Sequence, residues 1–296
     1  MQVNTLGYRT WSGRLKSPAL RWLPIARRGI GGIFRRRIFW LFLLLGLLNF
    51  LFHFALIYFI AQIETDMKQH GVRMPPFVRS KVFTGTGESY GEFIFLQGTV
   101  VMLLLGFAGS LLVGNDFRFH SVAFYLSKPI GKTHYFLGKL GAAAGLASLI
   151  TLVPALGLFV EYGAFTESLD YFGNSQRILW AIIGYGLIVS LVPAVLILGI
   201  AALFQRTIPI VVAWGTIFVF FPMVGKIFRA ISPGNAWQWD LLSFWDVLRW
   251  ISNCFFGIDE EKYLARLPLT LAVVGAWMGL ALWLFWRRVQ AVEIVR

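Results

Sequence analysis

Residues 178–203 decide the class of this protein, because they read ILWAIIGYGLIVSLVPAVLILGIAAL without a single charged side chain. An apolar run of about 18 residues or more is long enough to cross a lipid bilayer. In lipid it must be helical, since every backbone N–H and C=O needs an internal partner. Comparable apolar runs predict six spans, at about 38–63, 94–113, 137–160, 178–203, 207–224 and 268–286. The predicted fold is therefore an all-α integral membrane protein, a six-helix transmembrane bundle.

The composition leaves no room for a separate soluble domain. Of the 296 residues, 57% are hydrophobic and 14% are charged, whereas about a quarter of the residues in soluble proteins are charged. The formal net charge is +13, but the excess lies at the ends of apolar runs rather than on a solvated patch. We therefore expect a lipid bilayer, and no nucleic acid, as the partner of these charges. The single cysteine, Cys254, excludes an intrachain disulfide.

The distribution of charge predicts the orientation of the bundle. Residues 1–37 hold nine Arg or Lys and no acid, and residues 114–136 and 287–296 are also basic. Nearly all the acidic residues lie in the segments on the opposite side. Because Lys and Arg are retained on the cytoplasmic side, we expect both termini to be cytoplasmic in a multi-pass protein of the cytoplasmic (inner) membrane.

Residues 1–37 are predicted to form a basic cytoplasmic arm ahead of the transmembrane domain at 38–296. Within the arm, apolar residues from Ser17 to Phe34 are interrupted by Arg21, Arg27 and Arg28. This pattern predicts an N-terminal amphipathic interface helix on the inner membrane face. A partly disordered basic arm is the alternative, and residues 1–16 have no assigned role.

Residues 225–267 form the longest connection, which lies between the fifth and sixth spans. Trp and Phe residues alternate there with Asp240, Asp246 and Arg249. Trp is enriched at membrane interfaces. The segment predicts one or two short outer helices that dip into the outer leaflet, with a packed surface loop as the alternative.

The sequence contains no recognisable motif for a catalytic, metal or cofactor site. Gly131-Lys132-Thr133 resembles the end of a phosphate-binding loop, but Leu126 stands where that motif requires a glycine. No histidine pair has metal-ligand spacing, and no serine lies in a nucleophile elbow. We therefore expect a chain that is not an enzyme. His53, near the middle of the first span, marks either a transport pathway or a neutral histidine bonded to a neighbouring helix.

Small residues recur four apart at Gly141–Gly145 in the third span and Gly275–Gly279 in the sixth. This spacing allows close helix approach, within one chain or between two.

The loop between the second and third spans carries the most information. Asn115 to Ser127 predicts one short helix, about 115–127, in which Arg118, Val122 and Tyr125 share a face. Phe117, Ser121 and Phe124 share the adjacent face. Pro129 ends this helix and Thr133 caps the third span. Exposed aromatics indicate a partner, and such a helix suits a groove on another protein.

These residues resemble the permease subunits of ATP-binding-cassette (ABC) transporters, in the ABC type-2 exporter family. In that family the second span ends in an Asn/Glu-Asp-like pair. A short helix, Leu-Ser-x-Pro and a Tyr-x-x-Gly-Lys that opens the third span follow. The matching residues here are Asn115-Asp116, Tyr125-Leu126-Ser127-Lys128-Pro129 and Tyr135-Phe136-Leu137-Gly138-Lys139. The basic arm and the Trp-rich outer segment also look like that family's interface helix and re-entrant helices.

The resemblance implies that a separate ABC ATPase subunit, which binds ATP and Mg²⁺, docks on this coupling helix and on the arm at Arg21, Arg27 and Arg28. Two permease chains, as a homodimer or heterodimer, would form the path of an unidentified substrate, with export expected. The implied coupling residues are Asn115, Asp116, Phe117, Arg118, Ser121, Val122, Phe124, Tyr125, Ser127, Lys128 and Pro129.

Two other classes remain open on the sequence. One is an ion- or proton-coupled secondary transporter with His53 in its pathway, although we find no internal repeat between residues 38–160 and 178–286. The other is a membrane-embedded enzyme or scaffold.

Overall fold

The computed structural model describes residues 20–69, 85–126, 130–165, 169–232, 234 and 236–289, except the side chains of 61, 64–69, 169, 170 and 174. The described residues are helical and contain no strand. Six helices are long and apolar enough to cross a membrane, which confirms the predicted six-helix bundle of a multi-pass membrane protein. Spans 1 to 6 are Arg37–Ile60, Gly87–Arg118, Lys132–Phe165, Gln176–Phe204, Thr207–Ile231 and Glu260–Arg288.

Four shorter helices complete the fold. In chain order they are α1 (Leu23–Phe34), α2 (Ser121–Leu126), α3 (Leu169–Asn174) and α4 (Phe244–Phe256). A 3₁₀ helix, Trp237–Leu242, precedes α4. Span 1 continues as a helix to Gln69. Spans 2 and 5 contain single π-helical turns, Ser110–Gly114 and Thr216–Phe220.

Consecutive spans run in opposite directions. Phe42 and His53 of span 1 contact Phe107 and Phe93 of span 2, respectively, so these two helices are antiparallel. Between these contacts the Gln97 side-chain amide of span 2 donates to the Gly46 carbonyl of span 1 at 2.9 Å. Arg177, at the start of span 4, meets Glu260, at the start of span 6, at 3.2 Å. One end of the bundle therefore holds α1, the loop between spans 2 and 3, the turn between spans 4 and 5, and the end of span 6. We call it the basic end and the other the acidic end.

Span 3 is interrupted near its middle, at Thr151. The helix Lys132–Ile150 ends there and the helix Leu152–Phe165 begins at the next residue. Pro154 lacks the N–H that would bond the Ile150 carbonyl, which explains an interruption at this point. The Thr151 hydroxyl donates to the Ala147 carbonyl at 2.9 Å and lies 3.2 Å from the Ser190 hydroxyl of span 4. The contact between Thr151 and Ser190 thus stabilises the interrupted part of span 3 against span 4.

Helix α1 packs on the small residues of span 3. A Cβ on Gly138 would lie only 2.6 Å from Ile25 Cβ, and one on Gly141 would lie 3.1 Å from the Trp22 ring. Gly141 and Gly145 therefore serve contact within the chain, whereas no described atom outside the adjacent part of the same helix lies within 4 Å of a Cβ on Gly275 or Gly279. The predicted arm helix, 17–34, begins at Leu23, and residues 17–19 lie outside the described part.

An aromatic elbow joins α1 to span 1. The rings of Phe34 and Phe39 meet edge to face, with centroids 4.6 Å apart. The Trp40 indole donates to the Phe34 carbonyl at 2.9 Å, so it satisfies one carbonyl that the end of α1 leaves free. The direction of α1 relative to the bundle is thereby fixed.

Helix α4 lies alongside span 2 rather than across its end. Gly87, Gly91 and Gly98 of span 2 would place a Cβ against Phe256, Ser252 and Trp245 of α4, respectively. These glycines are 11 residues apart at the extremes, a rise of roughly 16 Å. The segment 225–267 therefore contains the short helices that the sequence predicts. Because α4 packs along span 2, it extends from the acidic end well into the bundle.

Candidate functional site

The loop between spans 2 and 3 contains two short helical segments rather than one. Span 2 ends in a last α-helical turn, Asn115–Arg118, and α2 follows at Ser121–Leu126. Between them His120 has a left-handed backbone with φ of 56°. The predicted single helix at 115–127 is therefore wrong, because the chain turns at Phe119–His120. Ser127, Lys128 and Pro129 lie outside the described residues.

The Asp116 carboxylate is the centre of a buried polar cluster. Lys139 Nζ in span 3 lies 2.6 Å from it, and the side chains of Lys139 and Asp116 are only 5% and 15% exposed. The Tyr135 hydroxyl donates to the same carboxylate oxygen at 2.8 Å. Because a buried charge is costly unless it is paired and hydrogen-bonded, these three side chains fix the end of span 2 to the start of span 3.

Tyr125 of α2 closes over this cluster. Lys139 Nζ lies 5.5 Å from the centroid of the Tyr125 ring and 5.5 Å from that of Tyr135. The two rings are 5.3 Å apart. Burial raises the pKa of the Tyr125 hydroxyl, and the Asp116 carboxylate raises it further, although Arg28 of α1 opposes the shift. Tyr125 is therefore neutral at physiological pH.

The same cluster reaches span 6. The rings of Tyr135 and Phe285 stack with centroids 6.1 Å apart and planes 20° apart. Phe285 is fully buried. The ends of spans 2, 3 and 6 and the loop helix α2 are thus in contact through a few side chains, which we call the Asp116 cluster: Asp116, Lys139, Tyr135, Tyr125 and Phe285.

Two aromatic side chains of the loop point away from the bundle. Phe124 is 75% exposed and Phe119 is 63% exposed, whereas Val122 on the opposite side of α2 is buried. The Arg118 guanidinium lies 5.3 Å from the Phe119 ring. Val122 and Tyr125 do face the protein together. Phe117 is half-buried against the core rather than exposed beside Phe124, and Asn115 and Ser121 are also half-buried.

One of the three arm arginines, Arg28, lies near this loop. Arg27 and Arg28 are exposed on α1 and Arg21 is half-buried just before it. Arg28 acts electrostatically on Tyr125, so α1 and α2 are neighbours at the basic end.

The start of span 3 differs from the sequence prediction. The helix begins at Lys132 with Gly131 at the capping position, and no side chain caps it. Thr133 is therefore the second helical residue and not the cap.

His53 forms a hydrogen bond within its own helix through Nδ1. That atom lies 2.9 Å from the Asn49 carbonyl oxygen of its own helix, to which it donates. Its ring meets Phe93 of span 2 edge to face at 5.1 Å. Within the described part of the chain no group of three or more His, Cys, Asp or Glu could hold a metal ion.

The pairing of Asp116 with Lys139 was not predicted from the sequence. A lysine two turns inside an apolar span is itself a signal, because such residues usually have a partner in the bundle. A second charged contact, at the acidic end, was not predicted either. There Arg249 of α4 pairs with Glu92 of span 2 and lies 4.8 Å above the Phe95 ring.

No protein-family model matches this chain, and no curated protein matches it either. The fold and the loop therefore define the class by themselves: a multi-pass membrane protein whose described residues form helices, six of them long and apolar enough to span a membrane. At one end it carries a short helix held by buried charges, with exposed aromatic side chains. The resemblance to ABC type-2 permeases stays a prediction.

Proposed function

We propose that this chain is the membrane-spanning permease subunit of an ATP-driven ABC transporter of the type-2 exporter kind. A separate ATPase subunit docks on the loop between spans 2 and 3. The observation that carries the proposal is the exposure of Phe119 and Phe124 on a loop held firmly by buried charges beneath it.

The loop suits a docking element for two physical reasons. First, Phe119 and Phe124 are largely exposed and present apolar surface that a partner's groove would bury, and exposed apolar patches mark interaction sites. Second, the Asp116 cluster links α2 to spans 2, 3 and 6, so a displacement of α2 would be passed to three membrane helices. A motor that pushes on Phe124 would therefore act on the bundle as a whole.

The charge of the basic end supports a cytoplasmic location. Among the described residues at that end, Asp116 is the single acid, and Lys139 neutralises it. Arg27, Arg28 and the run Arg35–Arg37 lie at the same end, and none of them forms an ion pair with a described acid. Positive charge is retained on the cytoplasmic side. Both termini would then be cytoplasmic, in the cytoplasmic (inner) membrane, and the docking loop would face the compartment that contains ATP.

This assignment gives the ATPase subunit and the permease chains different roles. ATP and Mg²⁺ bind to the ATPase partner, and this chain is not itself an enzyme. A second permease chain, identical or related, completes the path of a substrate that neither the fold nor the sequence identifies. Exposed apolar side chains of span 1, such as Leu41, Phe52 and Phe59, supply surface for lipid or for that second chain. Helix α1 then lies at the inner membrane surface and α4 within the outer half of the bundle.

The alternative, an ion- or proton-coupled secondary transporter, depends on His53. Its Nδ1–H is committed to the Asn49 carbonyl, and its ring packs on Phe93. These contacts are those of a packed histidine, so they do not favour a transport role.

Replacing Phe124 by aspartate tests the docking proposal. In membranes solubilised from the native host, the tagged wild-type chain should co-purify with an ATPase. F124D should reduce the co-purified ATPase roughly tenfold or more, because a central aromatic anchor is lost. The matched control is L264D: Leu264 is an exposed apolar residue of span 6 near the acidic end. Retention of the ATPase by F124D, or equal loss in both variants, would contradict the proposal.

A further inference from the structure

A cavity of about 390 Å³ opens at the basic end between spans 4 and 6. Its lining includes Leu203 of span 4 and Leu284, Arg287 and Arg288 of span 6. It is separate from the Asp116 cluster, and no step of the proposed coupling uses it.

The shape of the cavity follows from how the two spans meet. At Gly199 they touch through their backbones, since a Cβ there would lie 2.6 Å from the Ala281 carbonyl oxygen. Shortly after this contact span 4 ends, because Gln205 adopts a left-handed conformation with φ of 60° and the chain turns towards span 5. Span 6 continues to Arg288. The gap between them is therefore open on the side from which span 4 departs.

The polar part of the cavity is cationic. Neither Arg287 nor Arg288 forms an ion pair with a described residue, and the single acid described at this end, Asp116, is already paired with Lys139. The Arg287 guanidinium lies 5.1 Å from the Trp283 ring, which holds it near the cavity mouth. Arginine binds phosphate through two parallel hydrogen bonds, so two adjacent arginines suit a phosphate group.

The remainder of the cavity is apolar and continues along the outside of the bundle. Leu203 is 39% exposed, and Leu280, one turn before Leu284, is 49% exposed. Trp283 and Trp286 of the same helix are also exposed. An inorganic phosphate ion would leave these leucines uncovered, and so would an acidic protein segment that approached from the aqueous side. A molecule with a phosphate next to a hydrocarbon chain would cover both parts.

We propose that this cavity binds an anionic phospholipid, with its phosphate on Arg287 and Arg288 and an acyl chain along Leu203, Leu280 and Leu284. Basic pockets between membrane helices on the cytoplasmic side are known to bind such headgroups. The site needs no ATPase partner, so its test is independent of the test of the proposed function.

The test uses the purified full chain, stripped of lipid in mild detergent. Binding of phosphatidylglycerol and of phosphatidylcholine is counted by native mass spectrometry and followed by the thermal unfolding midpoint. We expect one saturable phosphatidylglycerol per chain, and R287Q/R288Q should weaken its apparent affinity roughly 30-fold. The conservative R287K/R288K variant should lose less of this affinity, because it keeps the positive charge. The matched control is R35Q/R36Q, which removes two positive charges from the same end away from the cavity, and it should retain the site.

Three results would overturn the inference. The first is equal binding of phosphatidylglycerol by the wild type and by R287Q/R288Q, in samples that elute as a single species on size exclusion. The second is an equal loss in R35Q/R36Q, which would indicate general surface charge. The third is equal protection by inorganic phosphate, which would indicate a free-anion site.

Discussion

Replacing Lys139 by methionine is expected to destabilise the protein by about 3–5 kcal/mol, because it leaves the Asp116 carboxylate buried without its cation. The two side chains are only 5% and 15% exposed, so water cannot readily replace the lost ammonium. Methionine fits the volume of lysine, which keeps the effect electrostatic. The measurement is the unfolding free energy or midpoint of the purified chain in detergent.

The control for this prediction removes the other charge as well. In D116N/K139M both charges are gone, while the side-chain amide oxygen introduced at position 116 can still accept from the Tyr135 hydroxyl. Stability should return to within about 1–2 kcal/mol of the wild type, because an apolar replacement of a buried ion pair is often nearly neutral. If K139M is as stable as the wild type, or if the double variant is no better than K139M, the Asp116 cluster does not hold the loop as described.

Replacing Gly199 by alanine should have the second-largest effect, a loss of about 2–3 kcal/mol. The added Cβ would lie 2.6 Å from the carbonyl oxygen and 2.7 Å from the Cα of Ala281. Both are backbone atoms, so no side chain can rotate away, and spans 4 and 6 would have to separate. Span 4 is buried along most of its length, so the separation would also disturb its packing against the other spans.

The matched control is Gly279→Ala, in span 6 two residues before Ala281. A Cβ at Gly279 would meet no described atom within 4 Å outside the adjacent part of its own helix. Because alanine favours the helix over glycine by up to about 1 kcal/mol, G279A should be neutral or slightly stabilising. Thermal unfolding of the two variants side by side checks the prediction. Similar midpoints for both would show that spans 4 and 6 do not touch at Gly199.

Apolar runs predicted the six spans but not where the helices end. Span 6 was predicted to begin at 268, since Glu260, Glu261, Lys262 and Arg266 interrupt the apolar pattern. The helix nevertheless begins at Glu260 and contains Pro268. Charged residues near a membrane surface reach water, so a helix can extend past its apolar part. Hydropathy measures the part in lipid, not the whole helix.

Local pattern could not reveal the turn in the coupling loop or the partner of Lys139. His120 is not a helix breaker by type, so its left-handed backbone depends on the surrounding packing. From the sequence, Lys139 was interpreted as one more cytoplasmic charge. Its partner, Asp116, lies 23 positions earlier in the chain. The two small-residue patterns, Gly141–Gly145 and Gly275–Gly279, look alike in sequence. Only the tertiary structure shows that the first is covered by α1 and the second is open.

The most direct test of the account asks on which side of the membrane Phe124 lies. The chain has one native cysteine, Cys254, so C254S provides a background for a single F124C label site. A membrane-impermeant maleimide should label C254S/F124C in inside-out vesicles and not in right-side-out ones, and a bound ATPase should protect it. C254S/L264C should be labelled in right-side-out vesicles and not in inside-out ones. Labelling of F124C from the outer side, or from neither side once the ATPase has been removed, would contradict the claim that this loop presents its aromatics to a cytoplasmic motor.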